Sequence, residues 1–237
     1  MHCNHRIIVP AVCLLGLWAA PVSAVEVPFT EEFVSDSANW REATGTMALS
    51  WAMNGGPDGS SHAFGAFNFV DSAEGDTPAM FRAQDEFGSS GGAFEGDWIA
   101  DGVTEFSAMV MHDAGMPLSF FTRFASPDNF PGAIGVEFTP VPSGQWSLLS
   151  FAIDPDNPQF VSFEGSDFET VFSRIGHVQI GLTVPEGLAG VDREITFWID
   201  KPAVVPEPAT LAILAVGALT LLRRRRDGDS STKGGAQ

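Results

Sequence analysis

In the segment Glu194-Ile195-Thr196-Phe197-Trp198-Ile199-Asp200, large apolar side chains recur at every second position. Ile195, Phe197 and Ile199 then face one way, and Thr196, Trp198 and Asp200 the other, which is the signature of a half-buried strand. Val103 to Met111 repeats the pattern, with Thr104, Phe106, Ala108 and Val110 on one face. Working outward, six more runs of this kind are expected to be strands: His62 to Val70, Ala79 to Ala83, Leu118 to Phe124, Ile134 to Phe138, Gln145 to Ile153 and His177 to Thr183. Breakers separate them, most clearly Asn54-Gly55-Gly56-Pro57-Asp58-Gly59 and Asp154-Pro155-Asp156-Asn157-Pro158. Short period-two runs spaced by turns predict a mainly β chain folded as a single antiparallel β-sandwich. One short helix is expected after Ser166, which with Glu169 forms a Ser-x-x-Glu capping box. Phe168, Val171, Phe172 and Ile175 would form its buried stripe.

The sandwich is expected over residues 25–204 of the 237-residue chain, a length that supports a substantial core. Between Val25 and Val205, six Lys and Arg against 27 Asp and Glu leave a formal charge of −21. Such a surface repels nucleic acid and anionic lipid, stays soluble, and suits divalent cations if it binds any ion. Both cysteines, Cys3 and Cys13, precede this region, so packing rather than disulfides must hold it together.

The two ends read as addresses. His5 and Arg6, the apolar core Ile7 to Ala20, and Val22-Ser23-Ala24 follow the layout of a secretory signal peptide over residues 1–24, with the cut between Ala24 and Val25. At the other end Val205-Pro206-Glu207-Pro208 is stiff and helix-excluding, because each proline fixes its own backbone and restricts the residue before it. An apolar run through Leu222 follows, then Arg223-Arg224-Arg225-Arg226, then the polar tail 227–237. The arginines set topology, with the sandwich outside and the tail in the cytoplasm. Ala209 to Leu222 makes only about 21 Å of helix at ~1.5 Å per residue, short for a bilayer core of ~30 Å. A brief membrane tether tolerates that mismatch.

This tripartite tail, 205–226, resembles the PEP-CTERM sorting signal of Gram-negative bacteria, which exosortases process. The resemblance implies export by the general secretion machinery, a transient inner-membrane intermediate, and processing near Pro206-Glu207-Pro208. Glu207 would supply the charge that is read. The tail after Arg226 departs from the usual pattern, in which such signals stop near the basic cluster.

The segments Phe94-Glu95-Gly96-Asp97-Trp98, Thr104-Glu105-Phe106-Ser107, Gly144-Gln145-Trp146 and Phe197-Trp198-Ile199-Asp200 are similar to those of jelly-roll modules of the galactose-binding or laminin type. Such modules commonly contact carbohydrate or cell surfaces and sometimes carry a structural calcium ion. Trp51, Trp98 and Phe130 stand near predicted loops and are candidate ligand platforms, although aromatics in sandwiches are more often core. Glu32 and Asp200 are candidate calcium ligands if the terminal strands are neighbours. No other cofactor is expected.

Catalytic signatures are lacking. The histidines of the exported part, His62, His112 and His177, form no His-Glu-x-x-His motif, and Gly88-Ser89-Ser90-Gly91-Gly92 has the spacing of a loop rather than a nucleophile elbow. Asp167 and Glu169 alternate as glycosidase carboxylates do, but the capping box assigns them to the first turn of a helix. The expected function is an exported surface or matrix protein without catalytic activity. The alternatives are a carbohydrate-binding module acting on exopolysaccharide and a polysaccharide hydrolase.

Overall fold

The computed structural model describes residues 26–206. The signal peptide with its Ala24–Val25 cut, Glu207, Pro208, the apolar run and Arg223 to Arg226 lie outside the described residues. Among the described residues no helix is long and apolar enough to cross a membrane.

Eleven strands follow in chain order: β1 Phe29–Thr30, β2 Ser50–Ala52, β3 His62–Asn68, β4 Ala79–Gln84, β5 Val103–His112, β6 Phe120–Ala125, β7 Gly132–Val136, β8 Ser147–Ala152, β9 Phe160–Ser162, β10 His177–Leu182 and β11 Glu194–Pro206. A five-residue helix, α1 Phe168–Phe172, sits between β9 and β10. The first sheet runs β2-β3-β11-β5-β8, with β1 also on β11, and the second runs β4-β10-β6-β7-β9. All strand pairs are antiparallel. The chain is therefore mainly β, a two-sheet antiparallel sandwich with one short helix. Strands β1, β2 and β9 are too short for a period-two pattern to reveal them.

The alternations place the core where the sequence put it. Phe106, Ala108 and Val110 on β5 and Ile195, Phe197 and Ile199 on β11 are all buried. Phe124 stands at the centre of an aromatic cluster, its ring in contact with Trp98, Phe106, Phe151, Phe160 and Phe172. Mutual edge-to-face contacts of this kind add stabilisation beyond area burial, which a disulfide-free domain needs.

Two boundaries differ from expectation. The helix cap is Asp167, one residue later than Ser166, and its carboxylate accepts from Thr170 N at 2.8 Å. Ser166 is instead held in a turn by its own N–H donating to Phe163 O. The last strand is the longest, at 13 residues, and continues past 204 because β5 still pairs with it through Val205↔Glu105 and Pro206↔Val103. Its first half pairs with β3 and its second with β1, so the terminal strands are neighbours. A register shift lies between Asp200 and Ala203, where Lys201 takes the left-handed region at φ 49°.

Candidate functional site

The second sheet carries a continuous row of outward residues set by its register. Arg82 on β4 pairs with Gln179 on β10, Gln179 with Arg123 on β6, Arg123 with Ile134 on β7, and Ile134 with Ser162 on β9. The next row is Ala79, Gly181, Phe121 and Val136. From these two rows Arg82, Gln179, Arg123, Ile134, Ala79 and Phe121 line an open groove of about 380 Å³, together with Thr77, Asn129 and Glu164. Gly181 makes room for it. A Cβ there would stand 2.5 Å from the Phe121 ring, so only glycine lets that ring lie across β10.

The polar groups are tightly prearranged. Arg123 clamps Glu164 with two parallel bonds, from Nε at 2.6 Å and Nη2 at 2.7 Å. Its Nη1 donates to Asn129 Oδ1 at 2.9 Å, and Gln179 Nε2 donates to the same oxygen. Arg82 is held by one bond, Nε to Ala43 O at 3.1 Å, and forms no ion pair among the described residues. Burial lowers its pKa, Glu42 opposing and the like charge of Arg123 adding to the effect. Two of the six basic residues of the acidic sandwich thus face one groove. Fixed guanidinium forks, amides and a phenyl ring suit recognition of a polar, hydroxyl-rich ligand. The only carboxylate among the lining residues, Glu164, is already committed to Arg123, so the groove lacks the free carboxylate pair that glycoside hydrolysis uses.

The residues singled out by sequence are dispersed. Phe130 is 63% exposed and follows Asn129 on the rim of this groove. Trp98 is wholly buried against Phe106, Phe124 and Phe172, and its Nε1 donates to Phe94 O at 2.9 Å. It is a core residue and not a ligand platform, because its backbone N–H donates to Phe172 O at the end of α1 and holds the indole against the core rings. Trp51 is half-buried on β2, in the other sheet, with Nε1 donating to Phe33 O. Asp167 serves as the helix cap, and its carboxyl is held below the usual range by the hydrogen bonds with Thr170.

Glu32 is exposed and Asp200 wholly buried. Asp200 accepts from Ser60 Oγ at 2.5 Å and from Lys201 N at 2.8 Å. Burial raises its pKa, and the negative charge of Glu32 adds to that. The loop at Gly56 covers it so closely that a Cβ there would stand 2.6 Å from its carboxylate. Both Asp200 oxygens are thus already hydrogen-bonded, and Glu32 acts on it through its charge. Beside it Lys201 Nζ pairs with Asp58.

Sequence reasoning missed Arg82, Arg123, Gln179 and Asn129. A signal existed for two of them: Arg123 is the lone charge in Phe120-Phe121-Thr122-Arg123-Phe124-Ala125, and Gln179 the lone amide in His177-Val178-Gln179-Ile180-Gly181-Leu182. A lone charge or amide flanked by apolar residues on a strand marks the outer face.

Residues 204–226 match the PEP-CTERM protein-sorting motif. Its first three residues, Val204, Val205 and Pro206, form the end of β11, so the motif begins inside the folded sheet. The motif marks an exported protein with a membrane-anchored intermediate and implies an exosortase as processing partner. No curated protein matches the chain by sequence. Among solved structures, the N-terminal CBM22-1–CBM22-2 tandem domain from Paenibacillus barcinonensis Xyn10C is similar over 81% of this chain and 53% of its own, at 14% identity and TM-score 0.49. The family 11 carbohydrate-binding module of Clostridium thermocellum Lic26A-Cel5E is similar over 78% of this chain and 96% of its own, at 12% identity and TM-score 0.43. The CBM22-1–GH10 modules of Clostridium thermocellum endo-1,4-beta-D-xylanase 10B, complexed with xylohexaose, match over 76% of this chain at 11% identity and TM-score 0.46. The chain spans 28% of that last structure's length.

Proposed function

We propose that this is an exported surface or matrix protein, without catalytic activity, which an exosortase releases from its inner-membrane tether. The observation that carries the reading is the sorting motif at 204–226, joined without a spacer to the last strand of an acidic, cysteine-free sandwich. Signal-peptide cleavage between Ala24 and Val25 delivers the sandwich outside. The apolar run then holds it at the membrane, Arg223 to Arg226 pin the inner end, and Pro206-Glu207-Pro208 presents the processing site.

The experiment is mass spectrometry of the C-terminus of the protein isolated from its native host. A mature chain ending near Pro208 is expected. Glu207→Ala, or neutral residues in place of Arg223 to Arg226, is expected to leave an unprocessed, membrane-retained form. Native protein that still ends at Gln237 overturns the reading, as does unchanged size and release of both variants.

The groove on the second sheet favours one addition: the sandwich contacts exopolysaccharide there, with Arg82 and Gln179 donating to sugar hydroxyls, Arg123 holding Glu164, Asn129 and Gln179 in place, and Phe121 and Phe130 packing against sugar rings. Glu32 and Asp200 are proposed to share a structural calcium ion that ties the β1 end of the chain to β11.

A further inference from the structure

A separate cluster lies at the end of the same sheet. Strand β4 finishes at Gln84, which pairs with His177, the first residue of β10. The chain then bends through a short turn at Asp85–Phe87, so the pairing sets Asp85 and Glu86 directly beside the imidazole. His177 Nε2 is 3.3 Å from an Asp85 carboxylate oxygen, 3.4 Å from one of Glu86 and 3.1 Å from the Pro127 carbonyl oxygen. The ligand atoms of the three side chains all lie within 4.8 Å of one another.

Three features make this more than a chance meeting of acids. Three oxygens surround one ring nitrogen, which carries a single proton at most. His177 is only 3% exposed, and its other nitrogen, Nδ1, has no hydrogen-bond partner. Behind them a third carboxylate, Glu95, has a buried oxygen that is likewise unpartnered. Burial raises the pKa of Glu95, and the negative charges of Asp85 and Glu86 add to it. No Lys or Arg ion pair reaches any of the three carboxylates among the described residues. The cluster therefore concentrates negative charge around an imidazole with no fixed cation to offset it.

The spacing is that of a small metal site. A tetrahedral centre with bonds of about 2.0–2.1 Å has ligand–ligand edges of about 3.3–3.4 Å, matching the two nitrogen–carboxylate distances. Calcium, at about 2.3–2.6 Å and with oxygen ligands, suits neither the edges nor the imidazole. We propose that Asp85, Glu86 and His177 bind a divalent first-row transition cation, such as Zn2+, with the Pro127 carbonyl at its open side. On binding, Nε2 gives its lone pair to the metal and the ring proton moves to Nδ1. Pro127 belongs to the same loop as Asn129 and Phe130, so the ion fastens the turn after β4 to the rim of the groove. The proposal does not depend on the polysaccharide reading or on the Glu32–Asp200 site.

The test uses the untagged full-length chain in detergent, stripped by chelator and titrated with ZnCl2 by calorimetry. One equivalent is expected to bind, and Co2+ is expected to give the visible bands of a tetrahedral centre. Asp85→Asn and Glu86→Gln, both at partly exposed positions, are each expected to weaken Zn2+ binding at least about tenfold while melting near the parent when no metal is present. His177→Gln is expected to abolish the Co2+ bands, and Asp200→Asn to leave them unchanged. Absence of Zn2+ binding overturns the proposal. So does parental affinity in Asp85→Asn and Glu86→Gln, or loss of the Co2+ bands in Asp200→Asn.

Discussion

His112 illustrates how much one buried side chain can be committed to a single protonation state. The ring is wholly buried, with Nε2 3.0 Å from Val141 O and Nδ1 accepting from Ala114 N at 3.3 Å. Both nitrogens are therefore satisfied only by the neutral ring that carries its proton on Nε2, since a second proton would face the Ala114 N–H. Burial lowers its pKa, although the Val141 carbonyl and the Asp113 charge oppose that. The unfolded chain takes up a proton at the ordinary value of 6.5, and the folded chain only at lower pH. Stability from this group is complete above 6.5 and is lost as pH falls from there through the lowered folded value. Unfolding free energies from urea titrations across pH 7 to 5 are expected to fall by at most about 1.4 kcal/mol per pH unit for this one proton. His112→Gln is expected to flatten the fall, leaving the part due to His62, whose pKa burial also lowers; an unchanged slope in that variant defeats the assignment. Sequence named His112 only as a histidine outside any catalytic motif. Its role depends on Val141, which no local pattern links to it.

Strand β11 joins most of what matters in the first sheet. It pairs with β5 along one edge and with β3 and then β1 along the other, and it ends as the start of the sorting motif. The irregularity at Asp200 to Ala203 lies where β3 hands over to β1, and there Asp200 is covered by the glycine loop. Alternation in the sequence assigned Asp200 to the face of Trp198, but it could not show that a loop 140 residues away in sequence, at Ser60, would close over it. If Glu32 and Asp200 hold calcium, ion binding clamps the two ends of the sandwich. The melting temperature is then expected to be higher with calcium than with chelator, by about 2.7 kcal/mol of stabilisation at a hundredfold excess over the dissociation constant. Asp200→Asn is expected to erase that difference. Identical melting curves for the parent under both conditions dismiss the clamp.

The whole molecule sets an arginine-lined groove into a strongly acidic surface, with the turn at Asp85–Phe87 at one end and the loop of Asn129 and Phe130 on its rim. If exopolysaccharide docks in that groove, Arg82→Ala is expected to weaken retention on host polysaccharide in affinity electrophoresis roughly tenfold, about 1.4 kcal/mol, without altering the fold. Retention equal to the parent's would rule the groove out as the contact surface. The β class, most strand positions, the inward residues of β5 and β11, the lack of disulfides and the sorting tail are properties of contiguous sequence. They were legible because alternation, turn chemistry and apolar runs act over neighbouring residues. The groove, the burial of Trp98 and Asp200, and the meeting of Asp85 with His177 belong to the tertiary structure alone. Each depends on which strands pair and in what register, and pairing is fixed by packing between segments far apart in the chain, to which a local pattern is blind.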